Sequence, residues 1–246
     1  MEINAKGVYY KDLNKLIRSA VAAGEKDFVL KNVNGQRYIA DGIGEEIRMN
    51  IYGTPGQDLA AFMKGPEITV HGNAQDGVGN TMDEGRIVIE GMAGDIVGYG
   101  MRGGQIYILG DVGYRVGIHM KAYREKAPLI IVGGKAGDFL GEYMAGGMII
   151  LLDMFGKTGN GRPAVGNFVG TGMHGGAIYV RGAVEQHRLG AGLKPDPATD
   201  EEMETIKPYL KEFCRAFNLD LQEILKEEFH RIAPYTHRPY GNLYAY

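Results

Sequence analysis

The feature that most narrows the folds open to this chain is a phrase repeated at a fixed interval from Met63 to Met173. Methionines stand at Met63, Met82, Met101, Met120, Met144 and Met173. The first three intervals are 19 residues; the last two, 24 and 29, are the same length with insertions of five and ten. After each methionine comes an apolar pair at i and i+2: Ile68 and Val70, Ile87 and Ile89, Ile106 and Ile108, Ile130 and Val132, Ile149 and Leu151, Ile178 and Val180. A glycine usually closes the phrase, as at Gly72, Gly91, Gly110, Gly134 and Gly182. Met49, Ile51 and Gly53 stand one 19-residue step ahead of Ile68, Val70 and Gly72.

A unit of this length with one short apolar strand is too short for any helical repeat. Side chains at i and i+2 share a strand face. Glycine supplies the positive φ that tight turns demand. Stacked coils pair their strands at about 4.8 Å per coil and align equivalent side chains in ladders. The expectation is therefore an all-β chain, a single-stranded right-handed parallel β-helix of about seven coils. Methionines and isoleucines form two of its interior ladders. The right hand follows from the absence of a strict hexapeptide repeat and from the usual hand of parallel crossovers.

Glycine supplies 39 of 246 residues, at fixed phase rather than in a collagen-like or low-complexity pattern. A formal charge of −3 gives no electrostatic argument for nucleic acid or an acidic membrane. Cys214, the single cysteine, excludes an intrachain disulfide framework and a self-contained cysteine-ligated iron–sulfur cluster. The opening residues MEINAKGVYY lack an apolar signal core and no stretch approaches a membrane span, so the expected location is cytoplasmic.

Three divisions are expected: residues 1–40 as an N-terminal helix and capping strands, 41–188 as the repeat domain, and 189–246 as C-terminal helices with a tyrosine-rich tail. Leu13, Leu16, Ile17, Ala20 and Val21 have helical spacing, with Asp12 as N-cap and Gly24 as stop, and that helix is suited to covering an open end coil. Strands are expected at residues 27–32 and 36–40. Pro195 and Pro197 mark a linker. Thr199 with Glu202 forms a capping box for a helix carrying Met203, Ile206, Leu210, Phe213, Cys214 and Phe217. Asp220 with Glu223 repeats that signature ahead of Leu221, Ile224, Leu225, Phe229 and Ile232, suggesting a helical hairpin.

Two insertions interrupt the repeat. The first carries Lys121, Tyr123, Arg124, Glu125 and Lys126, and reads as a solvated loop or as a site for an acidic group. The second, FGKTGNGRPAVGN, holds Lys157 and Arg162 and is the better candidate contact surface, since solenoid insertions often mark binding faces. Tyr240 and Tyr244 in the tail are further partner-contact candidates.

Most motifs suggestive of chemistry are explained by the repeat. Gly98, Gly100 and Gly103 spell a dinucleotide-loop pattern, but a strand rather than a helix follows. Gly98 aligns with Gly117, Gly141 and Gly170, and Gly103 with Gly146 and Gly175, so coil geometry accounts for them. Gly156–Thr158 lacks the leading glycine of a phosphate loop. His119 and His174 fall beside ladder methionines at coil corners, and no histidine forms a close metal-ligand pair. Asp76, Asp95 and Asp138, with Asn167, share one phase six residues before their methionines. Such a series reads as turn-forming, or as a metal or acid–base site of the kind found in polysaccharide-cleaving β-helices.

The phrases GDIVGYGMRGG, GEYMAGGMIILL and GTGMHGGAIYV resemble the glycine-repeat (GXGXG) domain at the C-terminal end of the glutamate synthase large subunit. NAQDGVGNTM, GYRVGIHMK and the flanking helices are similar to its stand-alone form, and the chain also resembles the β-helical subunit of formylmethanofuran dehydrogenase. The resemblance implies a right-handed β-helix in a non-catalytic assembly role within a glutamate synthase-type complex. It would hold together amidotransferase-type and FMN-binding subunits that convert glutamine and 2-oxoglutarate to glutamate. FMN and the iron–sulfur cluster would reside in those partners, and no catalytic, cofactor-binding or metal-binding residue carries over to this chain. Rival readings are a scaffold in formylmethanofuran chemistry or another glutamine-dependent complex, and a stand-alone carbohydrate-active β-helix. Homo-oligomerisation is compatible with each.

Overall fold

A computed structural model describes residues 1–156 and 163–235. Strand β1 (Glu2–Asn4) and helix α1 (Tyr10–Ala22) precede the parallel strands β2 (Asp27–Asn34), β3 (Arg48–Thr54), β4 (Lys64–His71), β5 (Glu84–Ile89) and β6 (Gln105–Ile108). The stack continues through β7 (Leu129–Val132), β8 (Ala145–Leu151) and β9 (Gly175–Arg181). After them come β10 (Pro195–Pro197), α2 (Asp200–Phe217), the one-turn α3 (Leu221–Ile224) and β11 (Phe229–Ile232). All strands belong to one sheet in the order β1-β2-β3-β4-β5-β6-β7-β8-β9-β11-β10. Sequential parallel order with one sheet strand per coil is the expected right-handed parallel β-helix. The seven strands β3 to β9 are separated by six turns.

The register matches the ladders visible in the sequence. Ile68, Ile87, Ile106, Ile130, Ile149 and Ile178 pair in succession, as do Val70, Ile89, Ile108, Val132, Leu151 and Val180. All twelve side chains are buried, as are the six ladder methionines, from fully enclosed Met63 to Met173 at 8% exposure. An insertion cannot shift this register, because moving a strand by one residue would turn its apolar set outward. The extra residues therefore leave the coil between strands.

Helix α1 covers the first coil with Leu13, Ile17 and Val21, while Leu16 points out at 42% exposure. It begins at Tyr10, not Asp12: Tyr9 is the N-cap without a side-chain bond, and Asp12 lies in the first turn, where its charge suits the helix dipole. Residues 36–40 form no strand. Gln36 is buried and donates from Nε2 to the carbonyls of Ala5 at 2.8 Å and Val8 at 3.2 Å, while Tyr38 and Ala40 have φ of 61° and 60°. This stretch is a coil corner.

The C-terminal segment differs more. The proline pair is the strand β10, antiparallel to β11, and β11 pairs antiparallel with β9. The stripe ending in Phe229 and Ile232 is thus not one helix. Helix α3 stops at Ile224, where Arg181 Nε donates to its carbonyl at 2.8 Å, and only Asp220 caps it, accepting from the Gln222 amide. The Thr199–Glu202 capping box is present in both directions. Helix α2 lies over the outer sheet face, burying Ile206, Leu210, Phe213 and Cys214 against Tyr107, Ile131 and Ile150. Among the described residues, no helix is long and apolar enough to cross a membrane.

Met101 is wholly enclosed between the rungs of Met82 and Met120. Met101→Ala should cost about 2–5 kcal/mol through the cavity it leaves. Met101→Asp should abolish cooperative folding, read as loss of the thermal transition, because it strands a charge in the core. An unchanged melting temperature for either variant would place this ladder in solvent.

Candidate interaction surface

The corner just before each methionine is built the same way in every coil. Counting back from the methionine, the fifth, third and first residues are left-handed: Ile96, Gly98 and Gly100 have φ of 52°, 66° and 59°. Arg115, Gly117 and His119 follow at 57°, 70° and 56°, and Phe139, Gly141 and Tyr143 at 63°, 68° and 53°. Their amides point alternately up and down the stack. Ile96 and Gly100 donate to the carbonyls of Tyr114 and Ile118 in the next coil, whereas Gly98 donates to Val78 in the previous one, all at 2.8 Å. Alternating backbone of this hand can form anion-binding nests. Here those amides are taken by neighbouring coils, so the corner is a fastening rather than an anion site.

Glycine has a different reason at each phase. A Cβ on Gly98 would come within 2.5 Å of Ile130 Cδ1, and one on Gly117 within 2.5 Å of Ile149 Cδ1; Gly141 and Gly170 meet Ile178 and Leu193 in the same way. At Gly100 a Cβ would meet only Thr81 Oγ1, at 3.6 Å, so conformation alone favours glycine there. Gly103, Gly146 and Gly175 lie against the backbone of the preceding coil, with Ala145 O 2.6 Å from a Cβ at Gly175. Strand β6 begins two residues after Gly103, so no helix N-terminus faces this loop.

The aspartate series bonds backbone, but between coils rather than within its own. Asp76 Oδ1 accepts from the Asp95 amide at 2.9 Å, Asp95 Oδ1 from Tyr114 at 2.8 Å, and Asp138 Oδ1 from Asn167 at 2.7 Å. Asn73 and Asp111 do the same for Met92 and Lys135 at another phase. Among the described residues, no group of three or more His, Cys, Asp or Glu side chains is placed to hold a metal ion. Cys214 is buried on the inner face of α2, and burial raises its thiol above the ordinary range, which keeps it protonated.

Two surfaces are not evident from the sequence alone. One is an exposed set of bulky side chains at the left-handed corner: Phe62, Tyr143 and Phe168 are 59%, 46% and 53% exposed. The available signal is phase: Phe62 and Tyr143 stand where another coil has Gly100, and Phe168 where another has Gly77, so bulky residues occupy positions where glycine suffices. The other is a cleft of about 430 Å³ between the late coils and α3, lined by Asp153, Arg181, Asp220, Glu223 and Glu227 among others. Arg181 staples it, donating to the carbonyls of Leu152, Glu223 and Ile224. Lys157, Arg162, Tyr240 and Tyr244, the contact candidates from the sequence, lie outside the described residues.

Two stability predictions rest on this geometry. Gly98→Ala should cost more than Gly100→Ala in chemical denaturation, because the first adds a clash to a left-handed strain of about 1–2 kcal/mol and the second adds strain alone. Equal costs would contradict the packing assigned to Gly98. Burial, ahead of the Asp111 and Glu227 charges, raises the Asp153 carboxyl above its ordinary 3.8 despite Lys135 and Arg181 nearby. Ionised Asp153 therefore penalises the fold above its raised value, and the penalty is absent below the unfolded value. Asp153→Asn should raise the melting temperature at pH 7, with the gain vanishing at or below pH 3.8. A gain that grows on acidification would reverse the assignment.

The model of the GXGXG motif family matches residues 27–237. An uncharacterized protein of Methanocaldococcus jannaschii is 50% identical over 249 residues, an alignment covering 99% of this chain and 95% of that protein. The match takes in the whole corner-and-ladder architecture, and the chain belongs to the GXGXG-motif family.

Proposed function

We propose that this chain is a non-catalytic assembly subunit of a glutamate synthase-type complex, holding an amidotransferase-type and an FMN-binding subunit in register. The observation that carries the reading is how the repeated carboxylates are used. Asp76, Asp95 and Asp138 each accept a backbone amide from the next coil, so the series best suited to acid–base or metal chemistry fastens the solenoid instead. Family membership and the similarity of GEYMAGG and its sister phrases to the synthase glycine-repeat domain support the same conclusion.

A stacked solenoid suits this task. Each coil contacts only its neighbours, so the chain forms a stiff rod with long, regular outer faces. Partner surfaces can bind at different rungs and be held at a fixed separation, which matters when one site makes ammonia and another consumes it. FMN and the iron–sulfur cluster would be held by the partners.

The test is gentle affinity purification from native cells followed by mass spectrometry. Near-equal recovery of an amidotransferase-type and an FMN-binding polypeptide, with glutamine-dependent glutamate formation, is the expected result. Recovery of the chain alone after crosslinking would overturn the reading. Recovery with other polypeptides of formylmethanofuran dehydrogenase would replace it with the rival scaffold.

A further inference from the structure

We propose that the left-handed corner is the docking face of this chain and that its occupant is an acidic surface of a partner polypeptide. The inference deepens the assembly reading and rests on it for the existence of a partner. It stands on three observations: backbone strain, ring orientation and charge.

Strain comes first. Non-glycine residues occupy left-handed backbone at Asp58, Phe62, Thr81, Ile96, Arg115, His119, Phe139, Tyr143 and Phe168, with φ between 52° and 63°. Equivalent positions in other coils hold Gly77, Gly100 and Gly172, so the coil closes equally well with glycine. A β-branched residue such as Ile96 at φ 52° is a genuine outlier. Strain of this kind concentrates where side chains have work beyond folding.

The rings then show what the face can receive. Phe139 and Phe168 stack with centroids 5.0 Å apart and planes at 16°, and the Arg115 guanidinium covers Phe139 from the other side at 4.6 Å. Tyr143 stacks on His119 at 5.3 Å and 11°, and its opposite side lies over Gly172, where any Cβ would collide with the ring. The flat faces of Phe139 and Tyr143 are consumed along the stack, yet Tyr143 remains 46% exposed. What Phe139 and Tyr143 present outward is ring edge. Sugars and nucleobases bind aromatic rings through their faces. Ring edges carry the positive end of the quadrupole and favour carboxylate and carbonyl oxygen.

Charge points the same way. The residues following the ladder methionines are Lys64, Asp83, Arg102, Lys121, Ala145 and His174. The acid among them, Asp83, pairs with Lys126 at 3.0 Å and with Lys64 at 3.9 Å. Arg102 reaches across to the carbonyl of His119 at 3.3 Å, which ties this basic row to the aromatic one. The nearby Glu142 is buried and paired with Arg115. Lys64, Arg102 and Lys121 beside these ring edges are complementary to glutamate and aspartate side chains on a folded partner.

The test titrates the full chain with a random glutamate–tyrosine copolymer, a lysine–tyrosine copolymer, a cello-oligosaccharide and a single-stranded oligothymidine. The glutamate–tyrosine copolymer should bind saturably and more tightly than the other three. The Phe62→Gly/Tyr143→Gly/Phe168→Gly triple variant should weaken it by about tenfold or more while the melting temperature holds within about 4 °C, since glycine tolerates this backbone. Lys64→Glu/Arg102→Glu should weaken it similarly. No copolymer binding, equal binding by the variants, or tighter binding of sugar or DNA would overturn the proposal. Co-expression with amidotransferase-type and FMN-binding subunits separates the two readings. If the wild type recovers neither, the assembly reading fails and the copolymer result still stands; if the triple variant recovers both as well as wild type, the docking face fails and the assembly reading stands.

Discussion

The structure depends on closing a coil in 19 residues without leaving backbone groups unpaired. Extended strand alone cannot do it, because a strand carries the chain away. The solution is a corner in which alternate residues are left-handed, as at Ile96, Gly98 and Gly100, so that amides point up, down and up the stack. Every such amide finds a carbonyl one coil away, which satisfies the demand that buried backbone groups be paired. The cost is conformational, and glycine removes it at every inward corner from Gly79 onward but at only some of the outward ones. Gly98, Gly117 and Gly141 lie against the isoleucine ladder, and no other side chain fits.

Once coils are closed at equal length, the remaining architecture follows from what each face meets. Inward positions stack like on like, methionine on methionine and isoleucine on isoleucine, and all are enclosed. The outer face of the later strands is apolar as well, with Tyr107, Ile131 and Ile150 wholly buried, and α2 covers it. Tyr107 anchors that contact, meeting Phe213 edge to face while its hydroxyl lies within hydrogen-bond distance of Gln105 Oε1 and Glu212 Oε2. Both stack ends are handled differently. Helix α1 covers the first coil, and the antiparallel pair β11 and β10 follows β9, ending the run of parallel strands. An uncovered end would be a template for association.

The interior is legible in the sequence because the repeat speaks through side chains at constant spacing. Six methionines and six apolar pairs mark register even across insertions, and the pairing of Ile108 with Val132 follows from the alignment without knowledge of the loop between them. The corners are not legible, because left-handed backbone is normally signalled by glycine, and Ile96, Arg115 and Phe139 do not carry that signal. The strand β11 is hidden for another reason: Leu221, Ile224, Phe229 and Ile232 fit a helical stripe, while Arg181, distant in sequence, ends α3 by binding its carbonyls. The aspartates do bond backbone, as their turn-forming phase implies, but their acceptor role reaches the next coil, a partner visible only once the coils are stacked.

On the assembly reading, function resides on the surface of the molecule. The interior ladders and the aspartate fastenings make a stiff rod, and the corner displays ring edges beside cations along it. Hydroxyl-radical footprinting of the isolated chain and of its native assembly tests this most directly, since it reads side-chain access at aromatic residues one by one. Protection of Phe62, Tyr143 and Phe168 in the assembly, with the exposed Tyr52 of strand β3 unchanged, is the predicted result. Equal labelling of those three residues in the free and assembled states would contradict the account.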